Sequence, residues 1–113
     1  MNEVQEFLLQ EGVSLKYTGF NYVVMAVRLV MEKEERMRAL EKEVYQKVAD
    51  QYGVSRSSVE KNIRKIRDVL WIDRGGHFLN RVQGGRFHRA PYPGEMIEMI
   101  ALYLKKCDHT NLN

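Results

Sequence analysis

Glu60, Lys61 and Arg64 follow closely on Ser57 and Ser58 in the stretch YGVSRSSVEKNIRKIRD, which runs from Tyr52 to Asp68. A guanidinium or an ammonium can donate to O6 and N7 of guanine, a carboxylate can accept from N4 of cytosine, and a hydroxyl suits either kind of base edge. Arg56, Lys65 and Arg67 lie in the same stretch, and Arg74, Arg81, Arg86 and Arg89 lie beyond it. Such side chains grip phosphate oxygens without reading sequence. The chemistry on offer is contact with duplex DNA. Ser57, Ser58, Glu60, Lys61 and Arg64 are the candidate base readers, and Arg56, Lys65, Arg67, Arg81, Arg86 and Arg89 are the candidate phosphate contacts. Any one of these cations taken singly fits a solvated helix face equally well. The ordering of the set is the stronger signal, because a merely soluble face has no need of serines followed by concentrated positive charge.

To act together these residues must share one face of one helix. At about 100° per residue, Val59, Ile63, Ile66 and Leu70 align, with Val69 beside them. Ser57, Lys61, Arg64 and Asp68 then fall opposite, flanked by Ser58, Glu60 and Lys65. Small residues in the first turn let a helix sink into a groove about 12 Å wide, and the apolar seam holds it to a scaffold. Ser55 is the natural N-cap, with Ser57 and Glu60 as an alternative capping box. Just before it, Val44, Val48, Ala49 and Tyr52 mark a helix that ends at Gly53, where the chain can turn left-handed. Two helices joined by a short glycine-containing turn form a helix-turn-helix, here about residues 44–71, with the second, recognition helix at about 56–71. The small Ala49 and the apolar Val54 and Val59 suit its internal packing.

Charge is distributed accordingly. Residues 1–54 hold seven Lys and Arg against nine Asp and Glu, residues 55–89 hold nine against three, and residues 90–113 hold two against three. A basic middle between mildly acidic ends is the electrostatic footprint of a nucleic-acid surface.

The remaining elements read as helices and loops. Val4, Phe7 and Leu8 precede Gly12 as a short helix, and VSLKYTG reads as a loop. From Asn21, a plausible N-cap, YVVMAVRLVM is apolar nearly all round and predicts the central core helix. EKEERMRALEKE either extends that helix or breaks into the next. DRGGHFLNRVQGGRFHRAPYPG carries five of the eight glycines and both prolines, so it reads as a connection, with room for one turn at 78–82. EMIEMIALYLKK closes the chain as an amphipathic helix through Met96, Ile97, Ile100, Ala101 and Leu104. Tyr17, Phe20 and Tyr22 suggest a local aromatic cluster, and Trp71 suggests packing beneath the recognition helix. An alternating β pattern is nowhere sustained, so the fold class is all-α. A chain of 113 residues suits one domain, residues 1–113.

Several classes find no support. No stretch approaches the roughly 20 apolar residues of a membrane span, and the acidic start is the wrong sign for a secretory leader, so a cytoplasmic location is expected. Cys107 has no partner for a disulfide, and His77, His88 and His109 lack metal-ligand spacing. No catalytic constellation or phosphate-cradling loop is present, so no enzyme activity, cofactor, metal or small-molecule substrate is expected.

The segments LLQEGVSLKYTGFNYVVMAVRLV, VYQKVADQYGVSRSSVEKNIRKI, VLWIDRG and PYPGEMIEMIALYL together resemble the C-terminal effector domain of the stage-zero sporulation master regulator family. The likeness runs from about Leu8 to Leu104. It implies a compact bundle of about six helices, a response-regulator output domain that binds duplex DNA in bacteria, at the nucleoid, through its helix-turn-helix. It also implies pairing head to tail on adjacent sites and contact with the RNA polymerase sigma subunit. Glu60 and Arg64 match groove-reading residues of the family motif. Ser58 and Lys61 stand where the family pattern tends to arginine, and Lys65 where histidine is usual. Lysine lacks arginine's bidentate fork, so a different preferred site is in prospect. No βα repeat with acidic switch residues is present, so the family's receiver domain is not expected in this chain, whether it is a cut domain or a stand-alone relative. The reading of a different class is a helix-turn-helix protein-interaction module whose basic face meets an acidic partner.

Overall fold

The apolar run that begins at Phe20 is buried on most sides, with Asn21 and Arg28 exposed, and the fold is arranged around it. In the structure, a computed structural model that describes residues 1–73, 75–77 and 89–111 (side chains only as far as 107), this run forms the second of five α-helices among the described residues. They are α1 (Glu3–Gln10), α2 (Gly19–Glu32), α3 (Gln46–Tyr52), α4 (Arg56–Asp68) and α5 (Pro93–Asn111). Among the described residues there is no strand, and no helix is long and apolar enough to cross a membrane.

Local chemistry sets the ends of α1. Asn2 Oδ1 accepts from the Gln5 amide at 2.9 Å while Gln5 Oε1 accepts from the Asn2 amide at 2.8 Å, a reciprocal capping box that satisfies two amides of the first turn. Gly12, at φ 88°, turns the chain away from the helix, and the Val13 amide returns to the Leu8 carbonyl at 2.9 Å.

The central helix begins two residues before the expected Asn21, at Gly19, with Thr18 in the capping position and making no side-chain bond to the helix. Asn21 is an exposed residue of the first turn. At the other end the charge-rich run breaks the helix. Lys33 is extended at φ −154°, and Arg36 folds back so that Nη1 donates to the Leu29 carbonyl at 2.8 Å. The same carbonyl accepts from the Lys33 amide at 3.2 Å, and a cation beside it suits the negative end of the helix dipole. The chain then continues as a 3-10 helix (Glu34–Ala39) and a wider π turn (Glu41–Tyr45) that runs into α3 without interruption.

Around α2 lie α4 on one side and α5 on another. Phe20, Val23, Ala26 and Val27 of α2 are fully buried against Val59, Ile63 and Ile66 of α4 and Met96, Ile97 and Ile100 of α5. Each fully buried aliphatic side chain is worth about 1.5 to 3 kcal/mol relative to exposure, so this one cluster dominates the apolar stabilisation. Every position assigned from periodicity to the buried seams of α4 and α5, Leu70 and Leu104 included, is in the core. The aromatic residues behave differently from the local cluster expected of them. Tyr22 pairs its ring with Tyr52 of α3 at 5.1 Å, Phe7 pairs with Tyr103 of α5 at 5.8 Å, and Phe20 is buried in the centre. Aromatic side chains reach across elements, and sequence proximity does not choose their partners. Trp71 is half-buried against the core beyond α4, within a π turn (Val69–Asp73).

Candidate nucleic-acid interface

The placement of α4 is set by its two ends and by the face it buries. Gly53 ends α3 at φ 65° and ψ 37°, a left-handed conformation that costs an L side chain about 1 kcal/mol or more. Two residues later Ser55 is extended, at φ −78° and ψ 156°, and its Oγ accepts from the Ser58 amide at 3.0 Å. Ser55 is therefore the cap. Ser57 lies inside the helix, exposed, rather than in the alternative capping box with Glu60. Val59, Ile63 and Ile66 are fully buried, which fixes the rotation of α4 about its axis.

That rotation turns Arg56, Ser57, Lys61, Arg64 and Lys65 outward, all exposed. Ser58 and Glu60 are half-buried at the margins of this face. Ser58 is occupied locally: Asn62 Nδ2 donates to its carbonyl at 2.8 Å and lies 3.4 Å from its hydroxyl. Glu60 and Arg64 border Tyr45, a residue the sequence reading did not single out. Burial, then the Glu60 carboxylate, push the Tyr45 phenol up to about 12, and the Arg64 cation partly offsets them. The signal for Tyr45 was its place next to the buried Val44, at the entrance to the first helix of the pair.

Two candidate phosphate contacts also have partners on the protein itself. Arg67 Nε meets Asp68 Oδ1 at 2.8 Å, and Nη1 donates to the Pro91 carbonyl at 2.9 Å, so its half-buried side chain ties α4 to the segment leading into α5. Arg89 places Nη1 and Nη2 at 3.0 and 3.3 Å from the two Glu95 oxygens and stacks over Tyr92 at 4.8 Å. Glu95 also accepts from the Tyr92 amide at 2.8 Å, half of a capping box at the start of α5. The Arg89 guanidinium holds the Glu95 carboxyl below its usual range, with the Tyr92 amide as a second donor. Arg74, Arg81, Arg86 and the turn expected at 78–82 lie outside the described residues.

Among the described residues no group of His, Cys, Asp and Glu is placed to hold a metal ion. The molecule is thus an all-α domain that presents a basic, serine-led helix on a rigid apolar scaffold, joined by a glycine turn to a preceding helix. Residues 4–104 match the family described as Sporulation initiation factor Spo0A C terminal, and the chain belongs to that family. The family's domain is a DNA-binding effector of transcription regulation and not an enzyme.

Proposed function

We propose that residues 1–113 act as one helix-turn-helix domain that binds specific duplex DNA by laying α4 in the major groove. Ser57, Lys61 and Arg64 would meet base edges, with Ser58 and Glu60 at the sides of the same face, while Arg56 and Lys65 hold phosphates. Arg81 and Arg86 of the basic connection are assigned to phosphates as well. Arg67 and Arg89 are reassigned to positioning, since their guanidiniums already have protein partners. The observation that carries this reading is the exposure of Ser57, Lys61 and Arg64 directly opposite three fully buried residues of the same helix. Family membership supports two further steps: pairing of two copies on tandem sites, and contact with the RNA polymerase sigma subunit at the nucleoid.

The test is selection of preferred duplexes from a random pool, followed by fluorescence anisotropy of the winner against a scrambled duplex at two salt concentrations. A preference of roughly a thousandfold or more is expected. Weak binding without preference that vanishes with added salt would remove the base-reading role and favour an acidic protein as the partner of this face.

A further inference from the structure

The basic middle third is not the whole cationic surface beside α4. Arg38 and Lys42 come from the charge-rich segment between α2 and α3, which by composition is close to neutral. Both are exposed, and with Glu41 and Tyr45 they line an open hollow of about 510 Å³. The π turn that carries Lys42 and Tyr45 packs against α4. Tyr45, which lines the hollow, belongs to that turn and feels the charges of Glu60 and Arg64, so the hollow lies beside α4.

Two cations nearby are engaged by the protein, whereas the side chains of Arg38 and Lys42, like that of the exposed Lys33 farther from the hollow, are not engaged by any described residue. Arg36 caps the Leu29 carbonyl and pairs with Glu32, and Lys47 pairs with Glu43 at 3.7 Å. Arg38 and Lys42 have no ion-pair or hydrogen-bond partner among the described residues. The first helix of a helix-turn-helix crosses the DNA backbone, and where its N-terminus is open its free amides can bind phosphate. Here α3 has no open N-terminus, because the π turn runs into it and the Gln46 amide already donates to the Glu41 carbonyl. Any phosphate at this place has to be held by side chains.

We propose that Arg38 and Lys42 hold backbone phosphates flanking the groove read by α4, extending the DNA footprint beyond the recognition helix. The proposal rests on the major-groove reading given above. Glu41, in the same hollow, opposes phosphate by like charge, so the site gains affinity when that carboxylate is removed.

The experiment compares wild type, the double variant Arg38→Ala/Lys42→Ala, and Glu41→Gln on the selected and scrambled duplexes across a salt series. In the double variant the slope of log K against log salt should fall by about 1.8, the value for two lost phosphate contacts on B-DNA, with the ratio between the two duplexes unchanged. Glu41→Gln should tighten both duplexes alike. A double variant with the wild-type slope, or Glu41→Gln binding no tighter than wild type, overturns the proposal. Loss of base reading would show separately, as wild type failing to distinguish the two duplexes. All three substituted side chains are exposed, and thermal unfolding followed by circular dichroism checks that each variant remains folded.

Discussion

Gly19, at the start of α2, lies so close to Asn62 of α4 that a β-carbon on it would stand 2.8 Å from the Asn62 carbonyl carbon and 2.9 Å from Ile66 Cγ1. One of these neighbours is backbone and cannot rotate away, so the missing side chain sets the separation of α2 from α4. Gly19→Ala is expected to destabilise the domain by about 1 to 3 kcal/mol through overpacking, despite the better helix propensity of alanine. Because α4 must shift to admit the methyl group, affinity for specific DNA should fall as well. Chemical denaturation and anisotropy on the same sample check both effects.

Arg64 and Lys65 are adjacent, exposed and of like charge, yet their expected roles differ. Arg64→Ala should cost about 1 to 3 kcal/mol on the preferred duplex and relax specificity at one base pair, whereas Lys65→Ala should weaken all sequences alike and lower the salt slope by about 0.9. A binding matrix of both variants against single-base substitutions of the site separates them. Equal losses on preferred and scrambled DNA for Arg64→Ala would contradict base reading.

Arg67, by contrast, should act on stability. Its guanidinium supports the Pro91 carbonyl from α4, and Arg67→Ala should cost about 1 to 2 kcal/mol in denaturant unfolding while leaving the salt dependence of DNA binding unchanged. A fall in the salt slope equal to that of Lys65→Ala would return Arg67 to the phosphate contacts.

Ser55→Ala removes the only side-chain cap of α4 and should cost about 1 kcal/mol. Ser57→Ala, inside the helix and exposed, should leave thermal unfolding nearly unchanged and alter DNA binding instead. Melting curves of the two variants side by side distinguish cap from contact.

Tyr45 makes stability fall at alkaline pH. Its phenol in the folded protein ionises near 12, above the ordinary 10.0, so its contribution is complete below pH 10 and is lost as pH rises toward 12, the unfolded phenol ionising first. The amount is at most about 3 kcal/mol. Denaturant unfolding between pH 9 and pH 12 should decline less steeply in Tyr45→Phe than in wild type.

Periodicity alone identified the buried seams of α4 and α5, because a helical residue's facing follows from its place in a 3.6-residue turn. The glycine stop at Gly53, the cap at Ser55 and the order of hydroxyls and cations along the outer face were legible for the same reason: each depends on neighbours within one turn. Tertiary structure decided what depends on distant chain. It turned Arg67 toward Pro91, paired Tyr22 with Tyr52, and moved the start of α2 to Gly19, where it meets Asn62. It also placed Tyr45, with the hollow of Arg38 and Lys42, beside α4. A long cation can face a phosphate or its own chain, and composition is the same in both cases. Only the position of a carbonyl or carboxylate brought in from another element chooses between them.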